Sequence, residues 1–287
     1  GESLQDEINN DDDGEIEIEG TYNQSLSISK NITIRGTGTG ATFDGENTNR
    51  TIITTSSNTN VHLENLLFTN TNGTVLIKNW GNLFLKNCTF TNHINFDKII
   101  ECRGNLVVDS CKFLNNNASE SGSVIAGYNT GVNYTISNCV FQTNHNKFSK
   151  DLEILYGEVH IEDMDMNMIE RTKFSVCSMY FSRCNITGYH PFNRDCSYDN
   201  CTLINSRIYL PRESLHNIRF INSEINQQSV LNENITISDC EFINSSIVFS
   251  FEKDCSNVTI ENTNFTKISS TAISFGYFYY GPWKHCL

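Results

Sequence analysis

Apolar and polar positions alternate in short runs along the whole chain, and the runs recur in the same form. LENLLF ends at Phe68, LKNCTF at Phe90, VDSCKF at Phe113, ISNCVF at Phe141 and IEDMDM at Met166. The series continues with FSRCNI at Ile186, YDNCTL at Leu203, FINSEI at Ile225, ISDCEF at Phe242 and IENTNF at Phe265. Successive copies lie about 22 residues apart, the length of one solenoid turn and too short for a strand–helix–strand unit. Within a copy the phase breaks. In VTIENTNF, Val258 and Ile260 share a face, but Ile260 and Phe265 cannot do so in a straight strand. The chain must bend at Asn262, and asparagine tolerates the left-handed backbone of a tight corner. Asn65, Asn87, Asn138, Asn200 and Asn222 hold the same place, with Ser110, Asp163, Arg183 and Asp239 as variants. The next residue, most often cysteine, is expected to point inward, followed two positions later by the apolar ladder.

These features predict an all-β chain, a right-handed parallel β-helix of about 10–12 turns. Ser3 is placed to cap a short helix whose Leu4 and Ile8 share a face, so residues 1–20 are read as a cap helix and first strand. Residues 21–275 are read as a single β-helix domain. The segment 276–287 is read as an aromatic cap or connector, in which Tyr277, Tyr279, Tyr280 and Trp283 offer a possible ligand surface.

Composition narrows the function. The net charge of -13 lacks the basic stripe that nucleic acid needs, so none is expected as a partner. Eleven cysteines without paired metal-ligand spacing point to an oxidising, extracellular setting and to no metal or cofactor. The chain starts at Gly1 without a signal sequence, which is read as one either removed or never part of this sequence. Glycosylation is expected at Asn31, Asn133, Asn185, Asn234, Asn257 and Asn264, with the corner residues Asn87 and Asn200 unmodified. The inward cysteines are expected to pack as thiols. Cys102, Cys177, Cys196, Cys255 and Cys286 are assigned to turns or the end, with Cys177–Cys196 and Cys255–Cys286 as candidate disulfides.

Residues 3–45, with GTY, KNITIRG and TFDG in order, resemble the amino-terminal segment of pectate-lyase-superfamily β-helices. The NCxF turns look like those of adhesin-like surface proteins of methanogenic archaea. That resemblance implies a rigid cell-surface glycoprotein contacting glycans or proteins of another cell. Hydrolases of this fold would show Asn-x-Asp, Asp-Asp, Gly-His-Gly and Arg-x-Lys on consecutive turns, and these do not occur in order. Asp11, Asp12 and Asp13 read as a solvated turn, and His160 and His190 as surface residues. No catalytic residue is assigned, and the expectation is a non-catalytic extracellular adhesin. The alternatives are a structural subunit that self-assembles into a surface fibre and a polysaccharide lyase or glycoside hydrolase. The irregular stretch after Phe141 is set apart: Met164, Met166 and Met168 are read as core filling, and the insertion 144–150 as a place for partner contacts.

Overall fold

A computed structural model of the chain describes residues 3–144, 148–168, 174–190, 196–209, 214–227, 235–251 and 258–277. It is a parallel β-solenoid of about ten turns with one short helix at the start. Two compact units are distinguished: Gly1–His160 with Thr172–Cys177, and Ile161–Arg171 with Ser178–Leu287.

In the first unit the helix Leu4–Asn10 begins as expected. Ser3 accepts from the Asp6 backbone N–H at 3.2 Å, and Leu4 and Ile8 are buried. Gln5 fastens the helix by exchanging two hydrogen bonds with the backbone of Ser27, at 2.8 and 2.9 Å. Each turn then presents three faces. The first carries Asn60–Glu64, Asn82–Lys86, Leu106–Asp109 and Asn133–Ser137. The second carries Leu66–Thr71, Thr89–Thr91, Lys112–Leu114 and Val140–Gln142. The third carries Val75–Asn79, Ile94–Cys102, Asn117–Gly127 and the start of Lys150–Glu162. Strands of one face pair in parallel with in-register partners, so like side chains stack. Phe68, Phe90, Phe113 and Phe141 form such a stack, with ring centroids 4.8 Å apart.

The bend between the first and second faces is the asparagine corner. Asn65, Asn87, Ser110 and Asn138 all adopt φ between 50° and 55°. The second unit repeats it at Asp163, Arg183, Asn200, Asp239 and Asn262. Backbone N–H groups continue the ladder across the corner, as from Asn65 N to Lys86 O at 3.0 Å, and the following cysteine is a small buried donor that adds a second contact to such carbonyls. Cys88 Sγ donates to Lys86 O at 3.5 Å and Leu63 O at 3.4 Å. Cys139, Cys184 and Cys201 repeat this double contact.

Two expectations are corrected by the register. Asp199 pairs with His216 and Cys201 with Ile218, so Asn217 follows Asn200 at this corner. Asn222 belongs instead to a second left-handed corner, between the second and third faces, with Asn205 and Asn244. Ile225 accordingly pairs with Ile208 and Ile247, and Phe220 takes the place in the stack next to Phe242. Both corners use asparagine followed by a small polar residue, so the pattern alone does not tell them apart. Cys102 lies within a third-face strand and is fully buried, because its rung is extended through that position.

The second corner has its own inward ladder. Thr71 Oγ1 and His93 Nδ1 are 2.7 Å apart, His93 N donates to Asn116 Oδ1 at 3.1 Å, and Asn116 Nδ2 to Asn144 Oδ1 at 2.8 Å. In the second unit Ser206, Ser223 and Ser245 do the same with hydroxyls. These buried polar side chains are therefore mutually satisfied rather than sites awaiting a ligand.

Candidate functional site

The third face of the first unit concentrates chemistry. Its strands stack Lys98 against Ser123 and Ser123 against Lys150, while Lys78, Glu101, Ala126 and Glu153 form a second column. Just past the ends of three of these strands come Trp80, Arg103 and Tyr128, and Leu155 follows at the same level within Lys150–Glu162.

Lys98 is the centre. Its side chain is only 13% exposed, with Nζ 3.0 Å from Asp97 Oδ2 and 5.5 Å from the centre of the Tyr128 ring. Burial works against the ammonium more than any single contact favours it, but the hydrogen bond and charge of Asp97 together with Tyr128 outweigh it, and the pKa of Lys98 lies above its usual value. Tyr128 donates to Glu153 Oε1 at 3.4 Å, and Ser123 donates to Glu153 Oε2 at 2.5 Å. Burial raises the Tyr128 pKa, Lys98 opposes and Glu153 adds, so the phenol is held protonated. A cation, a phenol and an oriented carboxylate thus meet on one surface.

Beside them the Arg103 guanidinium lies 4.1 Å from the Trp80 ring and 4.0 Å from Glu101 Oε1. Trp80 is 44% exposed and Tyr156 52%, with Leu155 and Phe148 also open to solvent. The insertion singled out in the sequence, 144–150, borders this face through Phe148 and Lys150. No sequence motif marked Lys98, Tyr128 or Glu153, because they come from three turns and only the register unites them.

Other expected sites fall elsewhere. Asn31, Asn133, Asn185 and Asn264 are exposed; Asn234 and Asn257 lie outside the described residues. Cys88, Cys111, Cys139, Cys184, Cys201 and Cys240 are buried, unbridged thiols. Cys196 is buried with its sulfur 3.8 Å from the Tyr189 hydroxyl. The Cys177 side chain, Cys255 and Cys286 lie outside the described residues, as do Tyr279, Tyr280, Trp283 and the side chain of Tyr277. His160 faces Glu158 at 3.5 Å, and His190 is exposed. In the second unit His216 Nδ1 lies 2.9 Å from Ser238 Oγ and 3.4 Å from Asp239 Oδ2. Both contacts use one nitrogen, so the three do not form a nucleophilic relay, which needs the two ring nitrogens on separate partners. Among the described residues no cluster suits a metal ion, and no helix is long and apolar enough to cross a membrane.

No protein-family model matches the chain, and no curated sequence does. Solved structures do. A mannuronic acid specific polysaccharide family 6 lyase from human gut microbiota superposes with a TM-score of 0.59 at 12% identity. The match covers 92% of this chain and 85% of the lyase. The catalytic domain of a GH87 alpha-1,3-glucanase gives 0.37 at 12%, covering 91% of this chain and 63% of its own. PfbA, a surface adhesin of Streptococcus pneumoniae, gives 0.30 at 11%, covering 95% and 87%. The first of these bears out the pectate-lyase-like fold. The archaeal adhesin part of the resemblance gains nothing from them. The expectation of a protein without catalysis is corrected: the same fold over nearly the whole chain serves a polysaccharide lyase, so missing hydrolase motifs give no ground for excluding an enzyme.

Proposed function

We propose that this protein is an extracellular enzyme that binds an acidic polysaccharide on the third face of its first unit and cleaves it by elimination. The observation that carries this reading is the meeting of Lys98, Tyr128 and Glu153 on three successive turns. Lys98 and Arg103 supply positive charge for a uronate carboxylate, and neutralising it makes the proton on the adjoining carbon more acidic. The Tyr128 oxygen takes that proton while passing its own to Glu153, so a free phenolate is avoided. The electron pair forms a carbon–carbon double bond, the neighbouring glycosidic C–O bond breaks, and its oxygen takes a proton from solvent as it leaves, while Glu153 returns its proton to solvent. Trp80 and Tyr156 flank the reaction as flat surfaces for further sugar rings. Numerous sequons and the acidic surface agree with an extracellular location.

The test is release of unsaturated sugar from polymannuronate and from other polyuronates, followed by the absorbance of the new double bond. Tyr128→Phe and Glu153→Gln should each slow turnover by about 10²–10⁴-fold. Both should retain the circular dichroism of the parent. Lys98→Met should lower kcat as well as raise KM, since the cation both binds the carboxylate and acidifies the proton. Failure to release unsaturated product from any polyuronate, or full activity in Tyr128→Phe, overturns the reading.

A further inference from the structure

The first face of the same unit carries a different arrangement. Asn82 Nδ2 donates to Asn60 Oδ1 at 2.9 Å, and Asn105 Nδ2 donates to Asn82 Oδ1 at 3.1 Å. The ladder is extended at both ends by backbone donors, Asn60 N to Asn31 Oδ1 at 2.8 Å and Asn133 N to Asn105 Oδ1 at 2.9 Å. Each amide plane is fixed by its neighbours while one N–H and one lone pair of the group stay available. Two residues along, the outward side chains of His62 and Phe84 stack at 4.2 Å and 5°, followed in register by Val107 and Thr135. The two columns enclose a shallow groove of about 290 Å³ lined by Asn82, Phe84, Asn105, Val107, Asn133 and Thr135. No acidic or basic side chain lines it.

We propose that this groove is a binding site for a neutral oligosaccharide, separate from the third face. Sugar hydroxyls need donors and acceptors held in fixed directions, which the amide ladder supplies. The C–H face of a pyranose is apolar and edge-positive, which suits the electron-rich face of Phe84 turned away from His62, on the side of Val107. The groove offers a uronate carboxylate no cation to pair with, which favours an uncharged sugar there. A rung repeat of ~4.8 Å is of the order of one pyranose ring, so successive asparagines meet successive sugars. The groove would thus hold a neutral chain while the third face acts on an acidic one.

The test is titration calorimetry on full-length protein from a host that adds no N-glycans, which keeps Asn133 bare. The probes are hexamers of β-linked glucose, mannose and galactose, with a mannuronate hexamer as the charged comparison. At least one neutral hexamer should bind. Phe84→Ala should weaken it at least tenfold, Phe84→Tyr should retain it, and any response to the mannuronate hexamer should be unchanged in both. Phe84 is only partly buried, so the alanine variant is expected to keep its fold, and Asn82→Asp gives a second check by placing repulsive charge in the groove. Absence of binding by every neutral hexamer, or unchanged affinity in both Phe84→Ala and Asn82→Asp, overturns the proposal.

Discussion

Arg183 and Asp163 occupy the same left-handed corner one turn apart, and the guanidinium grips the carboxylate with Nε to Oδ1 at 2.7 Å and Nη2 to Oδ2 at 3.1 Å. The Arg183 hydrogen bond holds the Asp163 carboxyl below its ordinary pKa. A carboxyl with a depressed folded pKa stabilises the protein above its unfolded value, and that contribution is lost as pH falls through the folded one. Replacing Arg183 by Ala should return the Asp163 titration, followed by NMR, to the usual carboxylate range. It should also flatten the fall of melting temperature below that range.

His93 should dominate a different pH window. Burial pushes its pKa down to about 4 despite a hydrogen bond from the ring to Phe68 O. The unfolded chain takes up this proton first, so stability falls as pH drops from about 6.5 towards 4, by about 3 kcal/mol. Chemical denaturation across that range should show the slope. His93→Gln should lack it even where its overall stability is lower.

Phe90 tests the stack. It is fully buried between Phe68 and Phe113, at 4.8 Å from each ring. Phe90→Ala should cost about 3–5 kcal/mol in urea denaturation, since both neighbours lose a partner and a cavity remains. A loss below 1 kcal/mol would show that adjacent turns collapse to fill the space.

Thiol labelling reads the corner. Cys88, Cys111 and Cys139 are buried donors to carbonyls, and Cys102 is buried with a pKa pushed up to about 12 by desolvation. Since the thiolate is the reactive form, these four should resist alkylation in the native protein and react once it is denatured. Rapid native labelling of Cys102 would contradict its placement.

In a glycosylating host, mass spectrometry should find glycans at Asn31, Asn133 and Asn264, which are exposed. Asn87 and Asn200 are exposed as well but are held in corners at φ near 50°, and should be bare for that reason. Asn185 should be the poorest of the exposed acceptors outside the corners, because its amide nitrogen donates to Asp165 at 2.7 Å. A glycan on Asn133 should also block binding of neutral hexamers in the first-face groove.

The architecture was legible because a solenoid writes its cross-section into the sequence once per turn. The alternation around Phe68, Phe90 and Phe113 gave the stack, and the break at Asn65, Asn87 and Ser110 gave the corner. The shift at Asn222 arose because two corners share one chemistry, and strand pairing alone separates them. The site was not legible for a related reason. Lys98, Tyr128 and Glu153 are each unremarkable in their own segment, and turns of unequal length hide that Lys98 lies beside Ser123 and that Glu153 reaches both Ser123 and Tyr128. Hydrolase motifs are local signatures, whereas a group of side chains drawn from successive turns leaves none.

Cys88, Cys139, Cys184 and Cys201 each bond to their own turn and to the one before it, so several joins between turns are built from the same parts. Cys88 and Cys111 stand 23 positions apart at successive corners, joined from Cys88 N to Cys111 Sγ at 3.4 Å. Excising residues 88–110 would leave Asn87 followed by Cys111, with Phe113 next to Phe68. Such a chain could shrink or grow by whole turns through duplication and loss of DNA, leaving each junction intact. Length is then an inherited variable separate from fold, and new surface can be gained without redesigning an interior.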